Sequence, residues 1–475
     1  MNYEEFLGRK THEGAEHGFE PVFMPDMLFP FQRDLTTWAL RKGRAAIFAD
    51  CGLGKTFMQL VWAENVARTT GKRVLVLAPL AVGSQTVREG VKFGIGCTQS
   101  RTGDVAGTER VIVTNYEMLH MFDRTDFGGI VCDESSILKH FTGATQQAVT
   151  RFACKLPYRI LCTATAAPND YIELGTSSEC LGELPHSDML SRFFRQLDDK
   201  GQKKERRDRD AVERAPQHYA RLAFRVSQSI GQWRLKHHAV TAFWRWVSSW
   251  ARACRKPSDL GYNDTRFMLP ELMERDHVIT PTSPPDGHLF TIPAFGLAEE
   301  REERKRTIED RCGFAADLVD HDDSAVVWCH TNAEGNMLET MIPDAKQVAG
   351  STPDDERIAI YNAFADGSLR VLVIKPKIGA WGLNWQHCAH VVTFASHSYE
   401  QYYQSVRRCW RFGQTRPVRL DVVATEGEVR VLANMRGKAA RADAMFTALV
   451  GHMNNAQSVK RTTTEHNGTE VPEWM

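Results

Sequence analysis

A stretch near the start of the chain has the residue types and spacing of a phosphate-binding loop: Ala49-Asp50-Cys51-Gly52-Leu53-Gly54-Lys55-Thr56. An apolar run, Ala45–Phe48, precedes it, and Phe57–Trp62 follows with the spacing of a helix. This order predicts a strand, a tight glycine turn and a helix, which is the context that such a loop requires. The alternative is a purely structural glycine turn, which the Gly-Lys-Thr ending disfavours.

The chemistry that this stretch predicts is binding of a nucleotide phosphate. Gly52 and Gly54 let the backbone turn so that several N–H groups face one concavity, and the helix adds its positive N-terminal end. Lys55 would reach the β- and γ-phosphates, and the Thr56 hydroxyl would ligate Mg²⁺.

A pair of carboxylates, Asp133-Glu134, ends another apolar strand-like run, Gly128–Cys132. An acidic residue at such a strand end can hold Mg²⁺, and a neighbouring carboxylate can take the proton from an attacking water. We therefore assign Asp133 to the metal and Glu134 to the general base. Thr163 and Thr165 end the next run, where their hydroxyls could bond the Asp133-Glu134 segment.

Two arginines in the last third of the chain, Arg408 and Arg411, lie three residues apart in Gln404–Gln414. This spacing predicts that they share one face of a helix. Two guanidinium groups on one face suit a γ-phosphate, because they neutralise the charge that develops in phosphoryl transfer. A solvated basic helix is the alternative.

An amphipathic helical pattern, Phe31, Leu35 and Trp38, lies just before the phosphate loop, and Gln32 is at its start. The Gln32 amide could read an adenine edge, because an amide donates and accepts hydrogen bonds at once. A surface glutamine on a helix is the alternative.

Continuous apolar runs alternate with helical stretches in two series. This pattern predicts two parallel sheets, each covered on both faces, with ligands gathered at the carboxyl ends of the strands. The first series comprises 45–48, 72–79, 110–117, 128–136 and 158–166, and the second comprises 324–330, 346–349, 369–374, 390–394 and 418–423.

The segment between the two series has a distinct composition. The chain of 475 residues carries a formal net charge of zero, yet residues 192–256 hold 17 Lys or Arg and 6 Asp or Glu. This local excess predicts contact with nucleic-acid phosphates, with a solvated basic face as the alternative. Phe243, Trp246, Val247 and Trp250 fall on one helical face, which we interpret as an aromatic stripe that docks into a core.

The remaining composition is typical of a globular protein, with 42% hydrophobic and 25% charged residues. The 11 cysteines form no C-x-x-C pair, and several lie inside apolar runs, which favours reduced, buried thiols over disulfides or zinc ligands. The N-terminus has no apolar leader segment, and no apolar run reaches the ~18–20 residues that a membrane helix needs. We expect a cytoplasmic protein of a bacterium or a phage-infected cell, without a membrane partner.

Taken together, these segments resemble the core of superfamily 2 DEAD-like helicases, most closely the Swi/Snf-related branch. The resemblance covers roughly residues 25–175 and 320–425. The residues from Asp133 to Ser136 match motif II with Ser-Ser where Ala-His or Ala-Asp is commoner, and the segments around 233–262 resemble the helicases of bacteriophages and prophages. The matching segments, in the family's order, are Gln32, Asp50–Thr56, Ala78-Pro79, Thr114–Glu117, Asp133–Ser136, Thr163–Thr165, Lys377–Asn384 and Gln404–Gln414.

This resemblance implies two RecA-like α/β domains in tandem, with a helical basic insert between them and ATP in the cleft that they form. It places Gln32 at the adenine-reading glutamine, Gly382 in a motif that contacts nucleotide and DNA, and Arg408 and Arg411 at the arginine fingers. We divide the chain accordingly into residues 1–184 (ATP-binding domain), 185–265 (basic insert), 266–450 (helicase C-terminal domain) and 451–475 (polar tail).

The function that the resemblance implies is an ATPase that uses ATP and Mg²⁺ to move along nucleic acid, and we expect this nucleic acid to be DNA. A helicase that separates strands and a duplex translocase that does not are both consistent with the motifs. A module that clamps DNA under nucleotide control without cycling is the alternative outside the enzymes.

Overall fold

The structure is a computed structural model that describes residues 16–80, 82–105, 107–167, 171–197, 229–230, 233–282, 297–379 and 383–465. The chain divides into two compact units. The first comprises Met1–Arg266 and Arg441–Met475, and the second comprises Phe267–Ala440. Each unit has its own parallel sheet.

Parallel strands dominate the first unit. Among its described residues, a seven-stranded sheet has the order β10-β1-β6-β5-β2-β4-β3, and its neighbouring strands pair in parallel. A small antiparallel sheet has the order β7-β9-β8. The strands are β1 (Arg44–Ala49), β2 (Arg73–Ala78), β3 (Cys97–Gln99), β4 (Val111–Asn115), β5 (Phe127–Asp133), β6 (Tyr158–Cys162), β7 (Phe194–Gln196), β8 (Ser229–Ile230), β9 (Trp233–Leu235) and β10 (Ala251–Cys254).

Helices connect these strands, as parallel pairing requires. The first begins with a proline and ends before Gly43, and the second lies between Gly54 and Gly71, each in the left-handed region. The helices are α1 (Pro30–Lys42), α2 (Lys55–Thr70), α3 (Gly83–Lys92), α4 (Ala144–Ala153), α5 (Leu174–Leu181), α6 (His186–Phe193) and α7 (Val240–Trp250).

The aromatic stripe that the sequence predicts on α7 is confirmed as core. Its four members, Phe243, Trp246, Val247 and Trp250, are each at most 1% exposed. The strand that follows, β10, is not anticipated by the sequence analysis. It pairs with β1 in parallel, with Ala49 opposite Cys254, so it extends the sheet beside the phosphate loop.

The second unit repeats the parallel arrangement, with strand order β11-β16-β15-β12-β14-β13 among the described residues. Its strands are β11 (Leu272–Ile279), β12 (Ala325–Trp328), β13 (Ala345–Val348), β14 (Val371–Ile374), β15 (His390–Phe394) and β16 (Val418–Thr425). Its helices are α8 (Leu297–Arg306), α9 (Ile308–Leu318), α10 (Asn332–Met341), α11 (Asp354–Ala365), α12 (Pro376–Gly379) and α13 (Tyr399–Val406).

Both faces of the central strands of the second sheet are buried. Alternate residues of β12 belong to different core clusters: Val326 and Trp328 to one, Ala325 and Val327 to the other. Such strands read as continuous apolar runs because neither face meets water. This is why the sequence identifies them.

The last helix, α14 (Val429–Glu465), begins in the second unit and ends in the first. It continues through residues that the sequence analysis assigns to the polar tail, and residues 466–475 lie outside the described part. Leu449, Val450 and Met453 of this helix belong to the core of the first unit. Across the described ranges, no helix combines the length and apolar character that crossing a membrane would require.

The predicted fold class is confirmed: the chain forms two α/β units in tandem, each built on a parallel sheet. Strands lie at all the positions that the two apolar series predict. The predicted helical insert, 185–265, is mixed where it is described, because it holds β7 to β10 as well as α6 and α7. Its residues 198–228 lie outside the described part, and there its structure stays a prediction.

Candidate functional site

The phosphate loop joins β1 to α2 with the geometry that the glycines predict. Gly52 and Gly54 have φ of 87° and 78°, in the left-handed region that residues with a side chain rarely adopt. The N-terminus of the 16-residue helix α2 therefore follows directly on the turn, at Lys55. Its first backbone N–H groups have no partner within the helix, which makes this end a site for anions.

Lys55 folds back over the loop. Its Nζ donates to the carbonyl oxygens of Ala49 at 2.9 Å and Asp50 at 3.2 Å. Thr56, the second residue of α2, is partly exposed. An ammonium, a hydroxyl and the N–H groups of a helix start form a donor set that fits a nucleotide phosphate with its Mg²⁺.

Gln32 contacts the loop itself. Its Nε2 donates to the carbonyl oxygen of Leu53 at 2.9 Å, and its Oε1 accepts from the backbone N–H of Phe29 at 3.0 Å. A Cβ atom added at Gly54 would lie 2.3 Å from Gln32 Nε2, so the second glycine is also needed for this contact. The role of Gln32 toward adenine stays a prediction.

Asp133 ends β5 and is tied to the helix of the phosphate loop. Its Oδ1 accepts from Gln59 Nε2 at 2.7 Å, and Gln59 lies on α2. The residue is 6% exposed, so this bond orients a nearly buried carboxylate. Strand β6 separates β5 from β1 in the sheet, and the three strands point in the same direction.

Glu134 has a strained backbone, with φ of 51° at a residue that has a side chain. Such strain persists only where surrounding contacts hold it, and it is common at functional sites. The Thr163 hydroxyl donates to Glu134 Oε2 at 3.1 Å, and the Tyr116 hydroxyl donates to the carbonyl oxygen of Asp133 at 2.7 Å. The contact that the sequence predicts between Thr163 and the carboxylate pair is thus present.

The surroundings of these carboxylates have a low dielectric. Burial raises the pKa of the Cys162 thiol to about 12. Burial also raises the pKa of Tyr116 well above its ordinary value. Both side chains therefore stay neutral at physiological pH, and the Tyr116 phenol remains a hydrogen-bond donor to the strand end.

Arg408 and Arg411 lie in an irregular turn, which corrects the helix that their spacing predicts. Helix α13 ends at Val406 because the chain then tightens into successive turns. The two guanidinium groups nevertheless converge: Arg408 Nη1 and Arg411 Nη1 donate to the carbonyl oxygen of Leu383 at 3.0 and 3.1 Å. Their convergence depends on this shared acceptor and not on helical periodicity.

Arg408 is held most firmly. Its Nε donates to the carbonyl oxygen of Gln404 at 2.9 Å, and its Nη2 donates to Gln404 Oε1 at the same distance. The residue is 3% exposed, whereas Arg411 is partly exposed. Of the two, Arg411 is therefore the better placed to reach a ligand.

Part of the second unit is similar to a known protein family. Residues 310–413 match the family described as the helicase conserved C-terminal domain. The second unit is similar to a helicase C-terminal domain. The Sulfolobus solfataricus SWI2/SNF2 ATPase core, solved in complex with dsDNA, matches with a TM-score of 0.40 and 16% identity, over 92% of this chain and 96% of that chain. No curated protein matches the chain.

The predicted site residues thus fall into two groups. Gln32, Gly52, Gly54, Lys55, Thr56, Asp133 and Glu134 lie in the first unit, at or next to the carboxyl ends of β1 and β5. Arg408 and Arg411 lie in the helicase-like stretch of the second unit. Gly382 also falls in that stretch but lies outside the described residues.

Two residues that contact the site are missed by the sequence analysis. Gln59 bonds Asp133, and Tyr116 bonds the backbone of the same residue. A signal for Gln59 exists, because it is a polar residue within an otherwise apolar helical run and is 1% exposed. Buried polar side chains need partners, so such a residue points to a neighbouring polar group.

Proposed function

We propose that this chain is an ATP-dependent motor that acts on DNA, as a helicase or a translocase of superfamily 2. The observation that carries the proposal is the bond between Gln59 and Asp133, at 2.7 Å. It ties the carboxylate pair to the helix that begins with Lys55 and Thr56. The match of residues 310–413 to the helicase C-terminal domain supports the second half of the motor.

The proposed roles in the first unit follow from the donor set. Lys55 and the backbone at Gly52 and Gly54 bind the phosphates, and Gln32 contacts the adenine. Thr56 and Asp133 hold Mg²⁺, which supplies charge neutralisation at the phosphates when bound.

Glu134 is the proposed general base. Its carboxylate accepts the proton of the attacking water, and the bond from Thr163 fixes the position of one carboxylate oxygen.

The proposed role of the second unit is to neutralise charge on the γ-phosphate. Arg411 and Arg408 supply guanidinium groups, and Gly382 supplies backbone close to the nucleotide. Such arginines act only when they reach the nucleotide, so hydrolysis becomes linked to a conformational cycle. Repetition of that cycle moves the protein along DNA.

The proposed partner is DNA, through the basic segment at 192–256. Its excess of Lys and Arg in a chain without net charge suits a phosphate backbone. Within the superfamily we assign the chain to the Swi/Snf-related branch and to its phage and prophage helicases. We place it in the cytoplasm of a bacterium or of a phage-infected cell.

The test is the steady-state rate of ATP hydrolysis with single-stranded DNA, duplex DNA and RNA compared. We expect stimulation by DNA and no hydrolysis by Lys55→Ala. DNA binding without turnover would replace the motor by the non-cycling clamp. Full activity of Lys55→Ala would overturn the proposed site.

A second assay separates the two forms of motor. A helicase displaces one strand of a forked duplex, whereas a duplex translocase displaces only the third strand of a triplex. Either result is compatible with the site, and together the two assays assign the activity.

A further inference from the structure

The arginine loop, defined here as residues 407–413, is fastened to the segment by which the chain enters the second unit. Trp410 Nε1 donates to the carbonyl oxygen of Pro270 at 2.7 Å. Phe412 stacks on Phe267, with ring centroids 4.9 Å apart and planes 27° apart. Arg411 lies between Trp410 and Phe412 in the sequence.

The far side of the loop is fixed as well. The Arg407 guanidinium is 4.8 Å from the ring centroid of Trp410 and 5.7 Å from that of Tyr403 on α13. Arg407 itself is 3% exposed. Trp410 is thus held between a buried cation and the entering chain, and its indole has little freedom to move independently of them.

The entering chain is anchored on both sides of the unit boundary. Arg266, the last residue of that part of the first unit, places its guanidinium 5.9 Å from the ring centroid of Phe29. The backbone N–H of Phe29 bonds Gln32, which contacts the phosphate loop. The next residue, Phe267, stacks on Phe412. Arg266 therefore contacts Phe29 in the first unit, and the next residue, Phe267, contacts Phe412 in the second unit.

We propose that Trp410 and Phe412 are positioning residues, which set the place of Arg411 according to the position of the entering chain 267–270. Movement of this chain would shift both aromatic rings, and Arg411 between them would follow. The inference rests on the proposed function, because it concerns how Arg411 serves ATP hydrolysis. It adds a link between the connection of the two units and the reactive arginine.

Three substitutions test the link. Trp410→Phe removes the Nε1–H donor and keeps an aromatic ring for Arg407. Phe412→Ala and Phe267→Ala each remove the stack from one side. The matched control is Met268→Ala in the same segment, since Met268 is 76% exposed.

The measurement is the single-turnover rate constant of ATP hydrolysis with saturating DNA. A partly unfolded variant loses amplitude, whereas a displaced arginine lowers the rate constant. We expect Phe412→Ala to lower the rate constant about tenfold, since small misplacements of a reacting group are costly. Trp410→Phe has a smaller effect in the same direction, Phe412→Tyr retains the wild-type rate, and Met268→Ala has no effect.

Two double variants decide whether the residues act as proposed. Phe267→Ala combined with Phe412→Ala should be no slower than either alone, because both remove one stack. In an Arg411→Ala background, Phe412→Ala should cause no further loss. Wild-type rate constants for Trp410→Phe and Phe412→Ala, or losses that multiply with that of Arg411→Ala, would overturn the inference and leave the proposed function intact. If the wild-type protein hydrolyses no ATP, both are overturned.

Discussion

The carboxyl edges of the two sheets both carry charged side chains, but their partners differ. In the first unit, Lys55 donates to two backbone carbonyl oxygens. In the second, Arg311 and Glu334 pair with each other at 2.8 Å and are at most 1% exposed. A charge bonded to neutral groups keeps its field for a ligand, whereas a pair of opposite charges cancels most of its own.

The arginine loop follows the pattern of the first unit, although it belongs to the second. Arg408 donates to backbone and amide oxygens, which carry no net charge. The contrast therefore separates charges available for chemistry from charges that hold the fold. Variants of the first kind should lose activity while remaining folded, and variants of the second kind should lose stability.

The largest effect is expected from Lys55→Ala. It removes the ammonium that we propose binds the phosphates, so ATP hydrolysis should fall by about a thousandfold or more. The control is Lys72→Ala, an exposed lysine of the same unit whose Nζ contacts a backbone carbonyl. A thermal unfolding midpoint unchanged from wild type would show that the loss is chemical, and an equal loss in both variants would contradict the assignment.

Arg411→Ala should slow hydrolysis by about a thousandfold while nucleotide binding survives, because its charge matters most in the transition state. The measurements are kcat and the Kd for a fluorescent ATP analogue. Arg416→Ala is the matched control, since Arg416 is an exposed arginine near the same turn and pairs with Asp323. A parallel fall in affinity would place Arg411 in ground-state binding instead.

Glu334→Gln addresses the other side of the contrast. It removes the closer of the two carboxylates that face the buried Arg311, since Glu428 lies 3.9 Å from its Nε. The second unit should lose about 3 kcal/mol of stability. The folded fraction should retain wild-type single-turnover rate constants. A loss of rate constant without loss of stability would show that the pair belongs to the chemistry.

Gln59→Leu and Gln404→Leu compare the two half-sites directly. Each glutamine contacts a charged residue, Asp133 in the first unit and Arg408 in the second. Both variants should lower kcat about tenfold, as loss of an orienting partner commonly does. Only Gln59→Leu should raise the Mg²⁺ concentration for half-maximal activity, because Asp133 is the proposed ligand.

The control for these two is Gln146→Leu, since Gln146 is also buried but bonds Thr150 on its own helix. An unchanged Mg²⁺ requirement in Gln59→Leu would remove Asp133 from the metal site. An altered Mg²⁺ requirement in Gln404→Leu would show that the proposed roles of the two glutamines are not separate.

The same contrast explains how far the sequence could predict the structure. Lys55 and Asp133 lie where a regular element begins or ends, and such ends are visible as changes in the apolar pattern. Arg411 lies in a turn whose partners, Leu383, Pro270 and Phe267, are distant in the sequence. A local spacing of three residues therefore suggested a helix that tertiary contacts override.

Two of the strands missed by the sequence analysis, β10 and β11, were missed for a related reason. Strand β10 is short and directly follows a helix, so its parallel pairing with β1 depends on tertiary contacts that the local sequence does not reveal. Strand β11, Leu272–Ile279, carries charged residues at three of its eight positions, because it lies at the edge of its sheet. An edge strand lacks the continuous apolar run that identifies a central one.

The smallest effect concerns His330, which follows β12 beside the Arg311–Glu334 pair. Burial and the nearby Arg304 lower its pKa to about 4, from an ordinary value of 6.5. Its Nε2 lies 3.2 Å from the carbonyl oxygen of Phe394. The neutral ring can donate to that oxygen, so the folded unit favours the uncharged form.

The direction of the pH effect follows from this lowered pKa. Between pH 6.5 and about 4 the unfolded chain binds a proton that the folded chain does not, so stability falls as the pH falls through this window. The loss from about pH 6.5 to about pH 5 is at most about 2 kcal/mol. Glu334 loses its contribution at lower pH, because Arg311 and other neighbours lower the pKa of that carboxyl against the effect of burial.

His330→Gln tests this account through urea unfolding midpoints of the full chain at about pH 7.5 and about pH 5. The wild-type midpoint should fall more than that of the variant, because glutamine cannot be protonated in this range. His120→Gln, at an exposed histidine of the first unit, should behave as wild type. If His330→Gln keeps the full pH dependence of the unfolding midpoint, His330 does not cause it. The contrast between the two sheets then rests on the Arg311–Glu334 pair alone.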